Sequence, residues 1–184
     1  MGRRKLRYAV PIVLVLSLVG ASLALASQGA KQNHHPKGGN KFSAKMIGHN
    51  EVPAVHTKAV GNVTLTVADD QQSISFELTY SGLNSAPLFS HVHFGQKNVN
   101  GGVSFFFCGG GGKPACPASG TVTGTVVAAD VAGLGTQGMP AGDLGAIIQE
   151  IREGFAYANL HTQTSPGGEI RGQLKKGAGH HGEH

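Results

Sequence analysis

The chain has 184 residues, 40% of them hydrophobic and 14% charged, which allows one domain with short tails. Glycine takes 29 positions, more than double the usual ~7%, Trp is absent and aromatic residues make up 6%, so a helical bundle is excluded and short strands joined by many turns are expected. The formal charge of +5 is local, because Arg3, Arg4, Lys5 and Arg7 crowd the start of the chain.

Those basic residues precede an apolar run from Pro11 to Ala26, which ends in Ala24-Leu25-Ala26, the small-x-small triplet that a signal peptidase accepts. Residues 1–26 are expected to be a signal peptide. If this segment stayed uncleaved, Tyr8 to Ala26 would be just long enough to anchor the chain in a membrane. Four of the 15 basic residues leave with the leader, so 11 Lys and Arg face 10 Asp and Glu in the exported chain. These are scattered rather than clustered, which excludes nucleic acid as a partner. The expected location is secreted, extracellular or in the periplasm or cell envelope, with a ligand there as the partner.

Residues 27–40 carry no apolar periodicity and are expected to form a flexible linker. A first strand is expected over Phe42 to Ile47. Glu51-Val52-Pro53 lies between Gly48 and Thr57 in a stretch that reads as a loop. Glu51 there is either an acidic ligand or, more in keeping with its setting, an acceptor for a turn. Val63, Leu65 and Val67 share one face of a second strand, and Ile74, Phe76, Leu78 and Tyr80 one face of a third. Asp69-Asp70-Gln71-Gln72 is the turn that makes them a hairpin.

Ser90 to Phe94 is expected as the next strand and holds the sharpest local feature, His91-Val92-His93. Residues i and i+2 of a strand point to the same side, so two imidazoles come within reach of one ion while Val92 and Phe94 face the core. A strand over Val103 to Phe107 follows. Cys108 and Cys116 then enclose Gly-Gly-Gly-Gly-Lys-Pro-Ala, and for an exported chain a disulfide is the expected pairing. The glycine run is not a phosphate loop: Phe107 and Pro114 stand where that motif needs Gly and Ser or Thr.

Thr121 to Val127 is another strand. Leu144, Ile147, Ile148 and Ile151 fall at i, i+3, i+4 and i+7, which predicts a helix over 144–153 with Asp143 as its N-cap and Gly154 ending it. Phe155 to Thr162 and Glu169 to Leu174 complete about eight strands at sandwich-like spacing. The turn Ser165-Pro166-Gly167-Gly168 brings Glu169 or Arg171 back beside His161. Residues 175–184, rich in His and Gly, are expected to be a disordered tail.

His91, His93, His161 and Glu169 together could hold Cu or Zn, with Arg171 and Glu51 adding polar groups. The same histidines also fit a hydrogen-bonded network with Glu169 and Arg171 as an ion pair and nothing bound, and the sequence leaves both open. There is no Gly-x-Ser-x-Gly, no His-Glu-x-x-His and no thiol left free once the disulfide forms, which argues against an ordinary hydrolase.

The order of motifs is that of a known family. Phe42-Ser-Ala44, Gly48, Glu51-Val52-Pro53, Tyr80-Ser-Gly82-Leu83, His91-Val-His93-Phe-Gly95, Gly154-Phe-Ala-Tyr157-Ala-Asn159-Leu-His161-Thr162 and Pro166-Gly-Gly-Glu-Ile-Arg-Gly-Gln173 together resemble a CHRD domain, the module of chordin. The resemblance spans nearly all of residues 41–174 and implies a secreted β-sandwich with no agreed catalytic residues. The Cys108 to Cys116 loop is an insertion in that pattern, and Ala54 stands where a second proline is frequent. The chain lacks chordin's cysteine-rich repeats, so growth-factor antagonism is not implied. A fainter likeness, through His91-Val-His93 and Gly95, is to Cu/Zn superoxide dismutase, whose bridging histidine and zinc set have no evident counterpart after His93.

The expectation is an all-β, antiparallel Greek-key or immunoglobulin-like β-sandwich with one short helix, occupying residues 41–174. It would act as a noncatalytic extracellular binding or structural module, with metal binding through the histidines as one form of that role. The alternative is a copper/zinc redox protein.

Overall fold

In the computed structural model, residues 40–177 are described. The expected signal peptide, almost all of the expected linker, and tail residues 178–184 lie outside the described residues. Nine strands form one antiparallel system: β1 (Lys41–Ile47), β2 (Val60–Val67), β3 (Ile74–Ser81), β4 (Pro87–Phe94), β5 (Gly102–Cys108), β6 (Gly120–Val126), β7 (Ala156–Thr162), β8 (Ile170–Gln173) and β9 (Lys175–Lys176). The helix α1 (Leu144–Glu153) lies between β6 and β7.

Strand alternation sets the inside. In β2 and β3 the register places Val63 opposite Leu78, Leu65 opposite Phe76 and Val67 opposite Ile74, all buried. The intervening Ser, Thr and Glu side chains of β3 point outward, as a period of two requires. Phe76 crosses the interior to Phe107 of β5, with ring centroids 4.8 Å apart. Gly124 of β6 sits opposite Phe76, and a Cβ there would come within 2.7 Å of the ring. A side chain at this position would displace the aromatic pair.

α1 forms as its periodicity predicts. Asp143 accepts a hydrogen bond from the Ala146 backbone N at 2.8 Å, and Gly154 closes the helix at φ 82°. Leu144, Ile147, Ile148 and Ile151 are buried, each stabilising the core by about 1.5–3 kcal/mol.

All eight expected strands are present, and the all-β, antiparallel architecture with one helix holds. Its closure differs from two separate sheets. The strands follow one path, β5-β4-β7-β8-β1-β2-β3-β6, and the end strands β5 and β6 approach each other, so the sheet is nearly closed. The joint lies at β1 and β8, where Ile47 pairs with Arg171. Gly172 permits that approach, because a Cβ there would lie 2.4 Å from the Lys45 carbonyl oxygen. The expected tail also begins later than position 175: Lys175 and Lys176 pair with Ser43 and Phe42.

The disulfide forms between Cys108, at the end of β5, and Cys116, eight residues on. Inside this loop the Gly109 N–H donates to the Pro114 carbonyl at 2.7 Å. Replacing both cysteines by Ser is expected to lower stability by about 2–3 kcal/mol in urea denaturation, the loop-closure entropy of so short a link. A loss below about 0.5 kcal/mol would mean that the loop's own hydrogen bonds hold it.

Candidate metal centre

β4 and β7 run side by side as the second and third strands from the β5 end of the nearly closed sheet, and loops cover their outer face, so all of β7 is buried on both sides. Pairing sets Phe89 opposite His161, His91 opposite Asn159 and His93 opposite Tyr157, while Asn159 faces Arg171 on β8. Every second residue of three adjacent strands therefore meets on this outer face, while Val92, Ala158 and Leu160 enter the core. The Asn100 side-chain amide donates to the Val52 carbonyl at 3.3 Å, joining two of the covering loops.

The three histidines converge. One ring nitrogen of each of His91, His93 and His161 lies within 4.8 Å of the others. The ring centroids are 4.5 Å apart for His91 and His93, 4.7 Å for His91 and His161, and 6.5 Å for His93 and His161. His91 and His161 are buried and His93 is partly exposed.

Backbone carbonyls orient two of the rings. His93 Nδ1 lies 2.9 Å from the Gly101 oxygen and His161 Nδ1 lies 2.9 Å from the Pro166 oxygen. A carbonyl only accepts, so both Nδ1 atoms carry the proton and both Nε2 atoms keep a lone pair. His161 Nε2 and His91 Nδ1 are buried without a hydrogen-bond partner among the described residues. A carbonyl fixing one nitrogen while the other stays open is the arrangement that orients a metal-ligating imidazole.

Burial keeps the rings neutral. It is the largest cause that lowers His91 to about 2, followed by the neighbouring charges of His93 and His161. Burial also dominates for His93, lowered to about 4 against the help of the Gly101 carbonyl, and it lowers His161. Neutral imidazole is the form that binds a metal.

Aromatic rings wall the cluster. Phe89 lies 4.6 Å from His161 and 5.4 Å from His91, and Phe106 meets His91 edge-on at 5.1 Å. Tyr157 stacks on His93 at 4.5 Å and 10°. From the next strand, the Arg171 guanidinium lies 3.4 Å from the Tyr157 ring centroid. Phe89, Phe106, Tyr157 and Asn159 complete the site beyond the residues expected from the sequence. Their shared parity with the histidines on β4 and β7 was the available signal, while Phe106 reaches the site only through the irregular register between β4 and β5.

The two expected acidic groups take other places. Glu169, fully buried, accepts hydrogen bonds from Thr57 Oγ1 at 2.7 Å, from the Asn84 backbone N at 2.9 Å and from Thr162 Oγ1 at 2.6 Å. It does not join the three histidines. Glu51 accepts from Asn159 Nδ2 at 2.7 Å, and burial, partly offset by the Arg171 charge, raises it to about 7. Gly168, at φ 126°, makes room for that pair, since a Cβ would lie 2.8 Å from the Glu51 oxygens.

Arg171 does not pair with Glu169 either. It donates to Asn100 Oδ1 at 3.0 Å and to the carbonyls of Val99, at 2.6 Å, and Gln96, at 3.3 Å, and so clamps the loop after β4. Among the described residues there is one group of three or more metal-ligating side chains, so no second set stands ready for a zinc beside a copper. His49 and His56 are exposed and outside it.

The family model for the CHRD domain matches residues 42–174, nearly all of the described chain. No curated protein and no solved structure matches the chain significantly.

Proposed function

Because the chain belongs to the CHRD domain family, we propose that it is an exported, noncatalytic module of the extracellular or envelope space that holds one transition-metal ion, copper or zinc, on His91, His93 and His161. The observation that carries this reading is the convergence of three ring nitrogens within 4.8 Å, two of the rings carrying buried nitrogens without a partner. Leaving such an atom unsatisfied costs roughly 1–3 kcal/mol, and an ion would use all three lone pairs at once. Family membership and the Cys108–Cys116 disulfide support an oxidising location outside the cytoplasm. The strand order supports a Greek-key reading of the fold, since β3 passes over β4 and β5 to pair with β6.

Elemental analysis by mass spectrometry of the full chain beside a His91→Ala/His93→Ala variant tests the site. The terminal histidines are common to both proteins, so the difference reports the cluster alone. Near-stoichiometric copper or zinc in the parent and its loss in the variant are expected. Equal metal content in the two, after exposure to both ions, would leave the histidines as a polar network only.

A further inference from the structure

The ligand set carries no charge of its own and the charge stacked beside it is positive, and we infer that this site selects monovalent copper. The inference rests on the reading of His91, His93 and His161 as a metal site and adds the oxidation state.

Three imidazoles are neutral, and no carboxylate stands among the ligands. Glu169 is engaged by three donors of its own, and Glu51 is tied to the Asn159 amide. The nearest fixed charge in the ring stack is positive: Arg171 lies on Tyr157, which lies on His93. Any ion held here therefore brings uncompensated positive charge into a mostly buried place. The penalty for taking an ion out of water rises with the square of its charge, and the repulsion from Arg171 rises in proportion to it. Both terms press against a divalent ion far harder than against a monovalent one.

Coordination number points the same way. Zinc on three histidines completes its shell with a water or other ligand, and divalent copper takes a tetragonal set of four or more. Phe89, Phe106 and Tyr157 pack against the three rings and narrow the space for such extra ligands. Monovalent copper is satisfied by two or three donors. Imidazole suits copper and zinc alike, so charge and coordination number, rather than ligand softness, decide between them.

The test uses the full chain with His34, His35, His180, His181 and His184 changed to Gln, so that the cluster dominates binding. Monovalent copper is titrated anaerobically against bicinchoninate, and zinc and divalent copper are titrated against a chromophoric chelator. A dissociation constant for monovalent copper roughly a hundredfold or more below that of either divalent ion is expected. His91→Phe and His161→Gln should each abolish that advantage. Divalent ions bound as tightly as monovalent copper, and lost in both variants, would overturn the choice of ion and leave the metal site standing. If no ion is held more tightly by the parent than by the variants, the metal reading itself fails, and this inference falls with it.

Discussion

Glu169→Ala is expected to lower stability by about 3–5 kcal/mol, a large share of the total for a domain of this size. The side chain is completely buried and its two oxygens accept from the Thr57 hydroxyl, the Asn84 backbone N–H and the Thr162 hydroxyl. It ties the loop after β1 and the loop after β3 to the end of β7. The hydroxyls can turn to other partners, but the Asn84 N–H is fixed by the backbone and would be left without one. Glu169→Gln keeps one acceptor oxygen and should lose less. Urea denaturation of the parent and both variants checks this, and a loss below about 1 kcal/mol for Ala would contradict the structural role. A metal titration of the Gln variant separates this role from ligation: the affinity should not change, since the carboxylate lies outside the histidine group.

The second large effect concerns acid. In the metal-free chain, each histidine of the cluster is lowered from its ordinary value of 6.5, His91 to about 2 and His93 to about 4. Below pH 6.5 the unfolded chain takes up protons that the folded chain refuses. Stability therefore falls as pH drops, by about 1.4 kcal/mol per pH unit for each ring, from 6.5 to about 4 for His93 and beyond for His91. His161, lowered in the same direction, adds to the loss.

Glu51 opposes this. Its carboxyl is raised from 4.5 to about 7, so the folded form holds a proton that the unfolded form releases, and its contribution is full below 4.5 and lost as pH rises through about 7. With His91 and His93 set against Glu51, the parent should thus still lose about 1.4 kcal/mol per pH unit between pH 6.5 and 4.5, and more with His161 included. Glu51→Gln removes the opposing group while its amide oxygen can still accept from Asn159, and the acid limb should steepen by about 1.4 kcal/mol per pH unit within that window. Denaturant curves at a series of pH values, with a chelator present, measure both slopes. Parallel slopes for parent and variant would mean that Glu51 titrates as an ordinary surface carboxyl.

Much of this architecture was legible along the chain because its strands alternate with a period of two and its helix repeats near 3.6. Val63, Leu65 and Val67, or Leu144, Ile147, Ile148 and Ile151, announce their buried faces without reference to distant residues. The histidine pair was legible for the same reason: His91 and His93 must share a side of β4. His161 came from its strand and the Pro-Gly-Gly turn, and β7 does pair with β4 so that all three rings meet.

Glu169 and Arg171 stand differently: the turn returns the chain so that Arg171 lies opposite Asn159 rather than His161, and neither side chain joins the imidazoles. Glu169 finds its donors 112 and 85 positions away, at Thr57 and Asn84, and Arg171 reaches the loop at 96–100. Local periodicity fixes only which side of a strand a residue takes. Whether a buried carboxylate serves an ion or a set of backbone and hydroxyl donors depends on which loops arrive over it, and that is settled when the sheet curls and β8 meets β1. Local pattern suffices for the strands, the helix with its caps and the shared side of His91 and His93. Long-range contacts settle that His161 completes the group, that the acids stay out of it, that Tyr157 and two phenylalanines enclose it, and that the strands follow one continuous path. Those outcomes rest on contacts between segments far apart in the chain, each requiring a close approach, such as that of Gly172 to Lys45, whose partner no local pattern names.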